Sequence, residues 1–284
     1  MSELRQRMLE DMQLRGLSGR TQKSYVSAVA QLAMYYRKSP YELTEAEIRQ
    51  YFLYLKNEKG LAPSTINQSI CALKFLYQYT LKRKLPVLDM IKAGRRHTLP
   101  VVLSQAEVRA ILGAVKITAY QVCLSTIYSC GLRLVEGVKL RVDAIDSERM
   151  MVHLRQSKGD KDRLVPLPTG TLQKLRRYWQ HHRNQEWLFP TWKEGTSSPT
   201  INPSSVQKAF RQALTASGVK KKASVHTLRH SYATHLVEAG ISLELVQQYL
   251  GHQSLQTTLV YVHLTPQRQA QVMTRINEIM TDLP

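Results

Sequence analysis

The residue types that could act together on a phosphodiester lie in the second half of the 284-residue chain. They are two arginines, a lysine, two histidines and a tyrosine, namely Arg133, Arg229, Lys158, His226, His252 and Tyr261. Guanidinium groups match the shape of a phosphate through bidentate hydrogen bonds, and donors held in place usually supply the largest catalytic contribution. A tyrosine hydroxyl can serve as a nucleophile. The combination therefore predicts the transfer of a phosphodiester to a tyrosine.

Each of these residues also has an ordinary structural explanation. Arg133 could form an ion pair with Glu136, one helical turn later. Lys158 could be a solvated turn residue, and His252 could pack locally after the glycine that ends a helix. Tyr261 is one of 14 tyrosines and by default would belong to the core. Only the complete set favours catalysis over these explanations.

The sequence predicts that this chemistry uses no metal ion and no cofactor. It has no carboxylate cluster and no Cys/His set with the spacing of metal ligands. The basic side chains would therefore replace the metal ions that many nucleases use. The three cysteines, Cys71, Cys123 and Cys130, form no CxxC pair and are typical of buried thiols in a reducing cytoplasm.

The charge of the chain predicts a polyanionic partner. Lys and Arg number 40 against 21 Asp and Glu, which gives a net charge of +19 and a pI near 10.0. Such a surplus indicates nucleic acid or an anionic membrane surface. The surplus is shared almost evenly between residues 1–100 and the rest, so we expect both halves to contact the partner. No apolar run approaches the ~20 residues of a membrane span, and the charged N-terminus lacks the apolar core of a signal peptide.

The elements that must position these residues fall into two groups. Hydrophobic periodicity and capping residues predict a four-helix bundle in residues 1–82, with helices at 3–14, 21–37, 45–58 and 65–82. Residues 83–101 contain prolines and a basic cluster, and predict an extended interdomain linker lying along phosphates. An ordinary surface loop is the alternative for this stretch.

Residues 102–284 predict a second domain that is mostly helical and contains one small antiparallel sheet. The expected helices are at 104–115, 117–130, 169–183, 203–217, 227–239, 243–250 and 266–280. The expected strands are at 141–145, 150–156 and 163–166, with residues 158–161 as a hairpin turn. The predicted fold class is therefore mainly α with a small antiparallel β-sheet.

The order Arg…Lys…His-x-x-Arg…His…Tyr, in the segments GLRLVEG, SKGDKDRLVPLP, HTLRHSYATHL and LGHQSLQTTLVYVH, resembles the tyrosine recombinase (phage integrase) family over nearly the whole chain. The resemblance implies a SAM-like core-binding domain in residues 1–82 and a catalytic domain in residues 102–284, with a docking segment at 273–284. It is closer to simple Xer-like or transposon-associated members than to integron integrases, since the stretch between Lys158 and His226 is too short for their inserted segment. Val135 stands where many members carry a small polar residue.

The resemblance also implies roles for single residues. Tyr261 would attack the scissile phosphate and become a 3′-phosphotyrosine, and Lys158 would protonate the leaving 5′ oxygen. Arg133 and Arg229 would hold the non-bridging oxygens. A covalent intermediate of this kind conserves the energy of the broken bond, so that rejoining needs no ATP.

The remaining polar residues have supporting roles in this scheme. His226 would be the general base or proton relay for Tyr261, and His252 would add a hydrogen bond to the phosphate. Glu136 would support the arginines. His230 and His235, on the helix after Arg229, are assigned to packing.

The partner implied by the resemblance is double-stranded DNA with paired recognition sites. A homotetramer would cut and rejoin it through a Holliday junction, with or without a second recombinase; no membrane and no small-molecule substrate are expected. Helices 21–37 and 65–82 would lie in the major groove. The candidate DNA contacts are Arg20, Lys23, Asn67, Lys74, Arg95 and Arg96. We expect a cytoplasmic protein that associates with the bacterial nucleoid when it is bound to DNA.

Two other functions remain compatible with the sequence. A type IB topoisomerase-like enzyme would use the same chemistry but rejoin the original strand. A non-catalytic DNA-binding accessory protein would form no covalent adduct, although the complete set of catalytic residue types argues against it.

Overall fold

The computed structural model describes residues 3–94, 100–157, 161–191, 198–252 and 254–261, and the chain divides into two compact units, residues 1–98 and 99–284. The described residues are mostly helical, with one three-stranded antiparallel sheet, which confirms the predicted fold class. No helix among them is long and apolar enough to cross a membrane.

The first unit contains five α-helices. They are α1 (Glu3–Leu14), α2 (Gly19–Tyr36), α3 (Glu45–Asn57), α4 (Pro63–Phe75) and α5 (Val87–Met90). Helix α3 begins with a capping box in which Thr44 and Glu47 each accept a backbone hydrogen bond from the other, as the sequence predicts. Helix α4 begins at a proline and continues into a π-helical turn, Leu76–Thr80, so it reaches nearly as far as predicted.

Residues 83–94 are not an extended linker, which corrects the sequence prediction for this stretch. They include α5, and the side chains of Leu85, Val87 and Leu88 are buried in the core of the first unit. These apolar residues lie between basic residues in the sequence. Their burial in the core is favourable and holds the segment against the helices. Arg83 also donates to the backbone carbonyl of Leu43 at 3.3 Å. The rest of the predicted linker includes residues 95–99, which lie outside the described residues.

The second unit contains eight described α-helices and three strands. The helices are α6 (Gln105–Gly113), α7 (Thr118–Ser129), α8 (Leu134–Val138), α9 (Thr169–His182), α10 (Pro203–Ala216), α11 (Val225–Glu238), α12 (Leu243–Leu250) and α13 (Leu255–Leu259). The strands are β1 (Ile145–Asp146), β2 (Met151–Ser157) and β3 (Lys161–Pro166), in the order β1-β2-β3. Val152 pairs with Val165, and Leu154 pairs with Arg163.

The first predicted strand of this sheet is wrong for most of its length. Residues 142–144 form a 3-10 turn, and only Ile145 and Asp146 pair with β2. The backbone explains the difference, because Val142 donates to the carbonyl of Glu186 at 3.0 Å and Arg141 bridges to Trp187. This stretch therefore pairs with the segment after α9. The predicted helix 266–280 and the docking segment 273–284 lie outside the described residues.

Candidate active site

Five segments of the second unit form the candidate site. They are the loop between α7 and α8, strand β3, the first turns of α11, the end of α12, and the segment from α13 to Tyr261. Lys158 lies outside the described residues, so its predicted role stays a prediction.

Glu136 connects two arginines. Its Oε1 accepts from Nη1 of Arg133 at 2.7 Å and from Nη1 of Arg163 at 2.9 Å. Its Oε2 accepts from the backbone N–H of Arg133 at 2.7 Å and from Nη2 of Arg163 at 2.6 Å. Burial raises the pKa of the Glu136 carboxyl, but the hydrogen bonds and charge of Arg163, followed by the hydrogen bonds of Arg133, outweigh burial and lower it to about 2. Glu136 is therefore ionised and fixes both guanidinium groups.

Arg163 was missed by the sequence interpretation. Its side chain is only 6% exposed, whereas Leu164, the next residue, is 45% exposed. Residues on a strand alternate between its two faces, and Arg163 shares its face with the buried Val165. An arginine at an inward position of a strand was the signal that could have identified it.

The last carbonyls of α12 and its cap hold three arginines side by side. Tyr249 accepts from Nε of Arg163 at 3.0 Å, Leu250 accepts from Nη2 of Arg229, and Gly251 accepts from Nη2 of Arg133 at 3.1 Å. The C-terminal carbonyls of a helix lack intrahelical partners and carry partial negative charge, so they attract cations. One helix end thus sets the positions of three guanidinium groups.

Two glycines make this close approach possible. Gly131 has φ +60°, and a Cβ there would lie 2.5 Å from Cδ1 of Tyr232. Gly251 has φ +61°, and a Cβ there would lie 2.9 Å from Cδ of Arg163. Both carbonyls are used, because Gly131 accepts from Nη1 of Arg229 at 2.7 Å and Gly251 accepts from Arg133. Left-handed backbone without a side chain is required at both points.

Arg229 is 2% exposed and is held by two backbone carbonyls. Burial, and then the positive charge of Arg133, lower the pKa of Arg229 to about 10. It is still a cation at pH 7. The described part of the cluster contains three arginines, Arg133, Arg163 and Arg229, and one carboxylate, Glu136, which among them bonds only the first two. The cluster therefore carries a net positive charge and favours an anion.

Two histidines contact Tyr261. Nδ1 of His230 lies 2.9 Å from Oη of Tyr261, and the ring of His252 stacks on the tyrosine ring with centroids 6.2 Å apart. His252 is oriented through its Nδ1, which is 3.0 Å from Oγ1 of Thr258. Burial and the charges of Arg229 and Arg133 lower the pKa of His252 to about 4, so it is neutral at pH 7. When Thr258 donates to Nδ1, the imidazole proton lies on Nε2, which can then donate to another group.

His226 occupies the first turn of α11 and is exposed. Its ring lies edge-on to that of His230, with centroids 4.7 Å apart. The sequence interpretation assigned His230 to packing alone, and the structure corrects this, because His230 contacts the predicted nucleophile directly. The sequence gives no separate signal for His230, since the contact joins residues 31 positions apart. His235, also assigned to packing, bonds Oη of Tyr128 at 2.9 Å.

Tyr261 is 2% exposed, and burial raises the pKa of its phenol, although the charge of Arg229 opposes the rise. The phenol is therefore protonated at pH 7. A buried phenol beside a cluster of cations is suited to attack on a phosphate, because the cations stabilise the charge that develops. Among the described residues, no group of three or more His, Cys, Asp or Glu side chains could hold a metal ion.

Comparison with known proteins places both units in one family. The family model described as an N-terminal SAM-like domain of phage integrases matches residues 4–87, and the phage integrase family model matches residues 101–268. An integrase/recombinase of Sinorhizobium fredii is 41% identical over 265 residues, which cover 93% of this chain and 85% of that protein. A tyrosine recombinase of Pseudothermotoga lettingae is 31% identical and covers 93% of this chain and 94% of its own.

The fold has relatives among solved structures. The XerH site-specific recombinase, bound to a palindromic difH substrate after cleavage, superposes with a TM-score of 0.73 at 21% identity. The superposition covers 92% of this chain and 81% of that one. At 21% sequence identity, this superposition shows that the two proteins share a fold.

Proposed function

The chain belongs to the phage integrase family and is a tyrosine recombinase, an enzyme of site-specific DNA recombination, and we propose that Tyr261 is its nucleophile. The observation that carries this proposal is the end of α12, where three consecutive carbonyls hold three arginines beside one buried tyrosine. Such a pocket binds one phosphate and presents one hydroxyl to it.

The proposed cleavage step forms one bond and breaks one. Oη of Tyr261 attacks the scissile phosphorus and gives up its proton to the histidines of α11, with His226 as general base or relay, and the bond between phosphorus and the 5′ oxygen breaks. Lys158 gives a proton to that oxygen. The product is a 3′-phosphotyrosine, and attack by a 5′ hydroxyl of another strand reverses the step without ATP. The relatives favour this exchange over the strand relaxation of a type IB topoisomerase.

Arg133 and Arg229 hold the non-bridging oxygens in this proposal. A guanidinium has five N–H donors, more than the carbonyl and carboxylate contacts given above require. The phosphate therefore meets side chains that are already oriented, which lowers the cost of reorganisation in the transition state. His252 adds a hydrogen bond from Nε2, and Glu136 keeps Arg133 in place.

The experiment that tests the proposal uses the full-length protein and a nicked duplex that carries its recombination site. The nick lets the short 5′ product diffuse away, so the covalent adduct accumulates. Mass spectrometry of the digested adduct should place the nucleotide on Tyr261, and EDTA should not prevent its formation. No adduct, or an adduct on another residue, would contradict the proposed nucleophile.

We propose that duplex DNA contacts both units and that four protomers act on two paired sites. The XerH relative is described with a difH substrate, and the net charge of +19 favours a polyanion. Arg20, Lys23 and Asn67 are exposed on α2 and α4 of the first unit. Lys74 is paired with Asp89 at 2.6 Å and would have to exchange that partner for a phosphate. Arg95 and Arg96 lie outside the described residues.

Lys23→Gln should lower the dependence of DNA affinity on salt. If Lys23 contacts a phosphate, the slope of log affinity against log salt should fall in magnitude by about one. Titration of a labelled duplex at several salt concentrations measures the slope. Lys56→Gln is the matched control, because Lys56 is an exposed lysine on α3, outside the helices proposed to enter the groove. An equal change for both lysines would contradict a specific contact at Lys23.

A further inference from the structure

His230 is the described histidine whose ring nitrogen reaches the hydroxyl of the nucleophile. Its Nδ1 is 2.9 Å from Oη of Tyr261, and the two ring centroids are 5.8 Å apart. His226 lies one helical turn earlier on α11, so the two histidines share a helix face. The ring of His226 contacts that of His230 edge-on. His230 therefore contacts both His226 and the tyrosine.

The protonation states allow Tyr261 to be the donor in this hydrogen bond. Burial, and then the charges of His226 and Arg229, lower the pKa of His230 to about 4, so its imidazole is neutral at pH 7. The phenol of Tyr261 is protonated and is the stronger donor of the two groups. Tyr261 then donates from Oη, Nδ1 of His230 accepts, and the imidazole proton lies on Nε2.

We infer that His230 is a positioning residue for cleavage, in that its Nδ1 holds the hydroxyl of Tyr261 and fixes the direction of the oxygen lone pairs. This inference rests on the proposed function of Tyr261 as the nucleophile. Because the O–H bond is directed at His230, the lone pairs of Oη are directed elsewhere and are free to meet phosphorus. The ring of His252 also stacks on the ring of Tyr261. The hydroxyl is then fixed before a phosphate arrives, and pre-orientation of a nucleophile accelerates its attack.

The role differs from the one expected for His226. His226 is exposed at the start of α11, whereas His230 is half-buried and bonded to the hydroxyl. A substitution at His230 should therefore affect the orientation of Tyr261 directly. His226 contacts the ring of His230, so a substitution there can reach the tyrosine through that ring.

Three variants of the full-length protein separate a positioning role from simple packing. His230→Phe keeps an aromatic ring but removes the acceptor. His230→Asn places a polar atom as many bonds from Cα as Nδ1, and His230→Gln places it one bond farther. In single-turnover assays on the nicked duplex, His230→Phe should slow adduct formation by roughly 10- to 100-fold. His230→Asn should restore most of the rate, His230→Gln should not, and the affinity for DNA should stay unchanged in all three.

His235→Phe is the matched control. His235 lies on the same helix and also makes one hydrogen bond from Nδ1 to a tyrosine hydroxyl, that of Tyr128. Its loss should lower stability to a similar extent but leave the rate of adduct formation unchanged. The inference is overturned if His230→Phe forms the adduct at the wild-type rate. It is also overturned if His230→Asn is as slow as His230→Phe, because the acceptor atom would then not be the feature that matters.

A second measurement does not depend on catalysis. 3-Fluorotyrosine placed at position 261 of the DNA-free protein reports the environment of the phenol through its fluorine resonance. His230→Phe should move this resonance and His235→Phe should not; an unmoved resonance in His230→Phe would overturn the contact. If the wild-type protein forms no adduct, the proposed function fails, whereas the fluorine experiment still decides whether His230 holds the hydroxyl.

Discussion

Tyr261→Phe is expected to abolish the covalent protein–DNA adduct and to leave duplex binding nearly intact. The substitution removes one oxygen atom, and with it the only atom that can bond to phosphorus in the proposed reaction. The ring still fills its buried position beside His252. The lost hydrogen bond to His230 costs about 1 kcal/mol of stability, so the protein should fold. Denaturing gels of nicked-duplex reactions measure the adduct, and titration measures binding.

Tyr128→Phe is the matched control for this substitution. Tyr128 is a half-buried tyrosine of the second unit, and its hydroxyl, like that of Tyr261, bonds a histidine. It lies outside the proposed pocket, and its variant should form the adduct as the wild-type protein does. An adduct in Tyr261→Phe, or loss of the adduct in both variants, would contradict the assignment of Tyr261.

Glu136→Ala is expected to lower the free energy of unfolding by about 3–5 kcal/mol, since it removes the carboxylate from two arginines. The side chain of Arg163 is 6% exposed and that of Arg133 is 25% exposed, so their charges would lie uncompensated in a poorly solvated pocket. Arg133 would also lose its orientation, and cleavage should fall. Urea unfolding of the variant measures the first effect, and the nicked-duplex assay measures the second.

The ionisation of Glu136 should also appear in the pH dependence of the free energy of unfolding. The folded-state pKa of Glu136 is about 2, against an ordinary value of 4.5. Because the pKa is lowered in the folded state, the ionised carboxylate stabilises that state at pH values above about 4.5. This contribution is lost as the pH falls from about 4.5 towards 2. Its full size is about 3 kcal/mol. Glu136→Gln should remove this part of the acid-induced loss of stability.

Asp143→Asn is the control for both measurements. Asp143 also accepts from two arginines, Arg141 and Arg155, but its side chain is 47% exposed. An exposed pair of this kind contributes at most about 1 kcal/mol, so this variant should unfold almost as the wild-type protein does. If Glu136→Gln and Asp143→Asn proved equally stable, the cluster around Glu136 would not be a buried ion pair in solution.

Local signals predicted much of the fold. Capping residues such as Thr44 and Ser104 marked the starts of α3 and α6, because a cap bonds backbone groups within its own turn. The prediction failed at residues 83–94 and 141–145, where contacts with distant parts of the chain decide the structure. Leu85 is buried by the first unit, and Val142 pairs with Glu186 rather than with a sheet neighbour.

The same distinction applies to the candidate site. The motif predicts Arg133, His226, Arg229, His252 and Tyr261 as site residues, because their residue types and order are specific. It did not single out Arg163 or His230, since the contacts of an inward arginine and of a histidine on a helix are seen only in the folded chain. Their partners, Glu136 and Tyr261, are 27 and 31 residues away in the sequence.

The three consecutive carbonyls at the end of α12 have a consequence for the insertions and deletions that the chain can tolerate. The three arginines, Arg133, Arg163 and Arg229, come from segments that are distant in the sequence. Each of them donates a hydrogen bond to a backbone carbonyl within residues 249–251. The surface connections between those segments can therefore change in length without altering the spacing of the guanidinium groups. A single residue inserted within 249–251 would displace all three at once. Natural variants and engineered fusions should accordingly accept extra residues around α9 and α10 and reject them at this one short stretch.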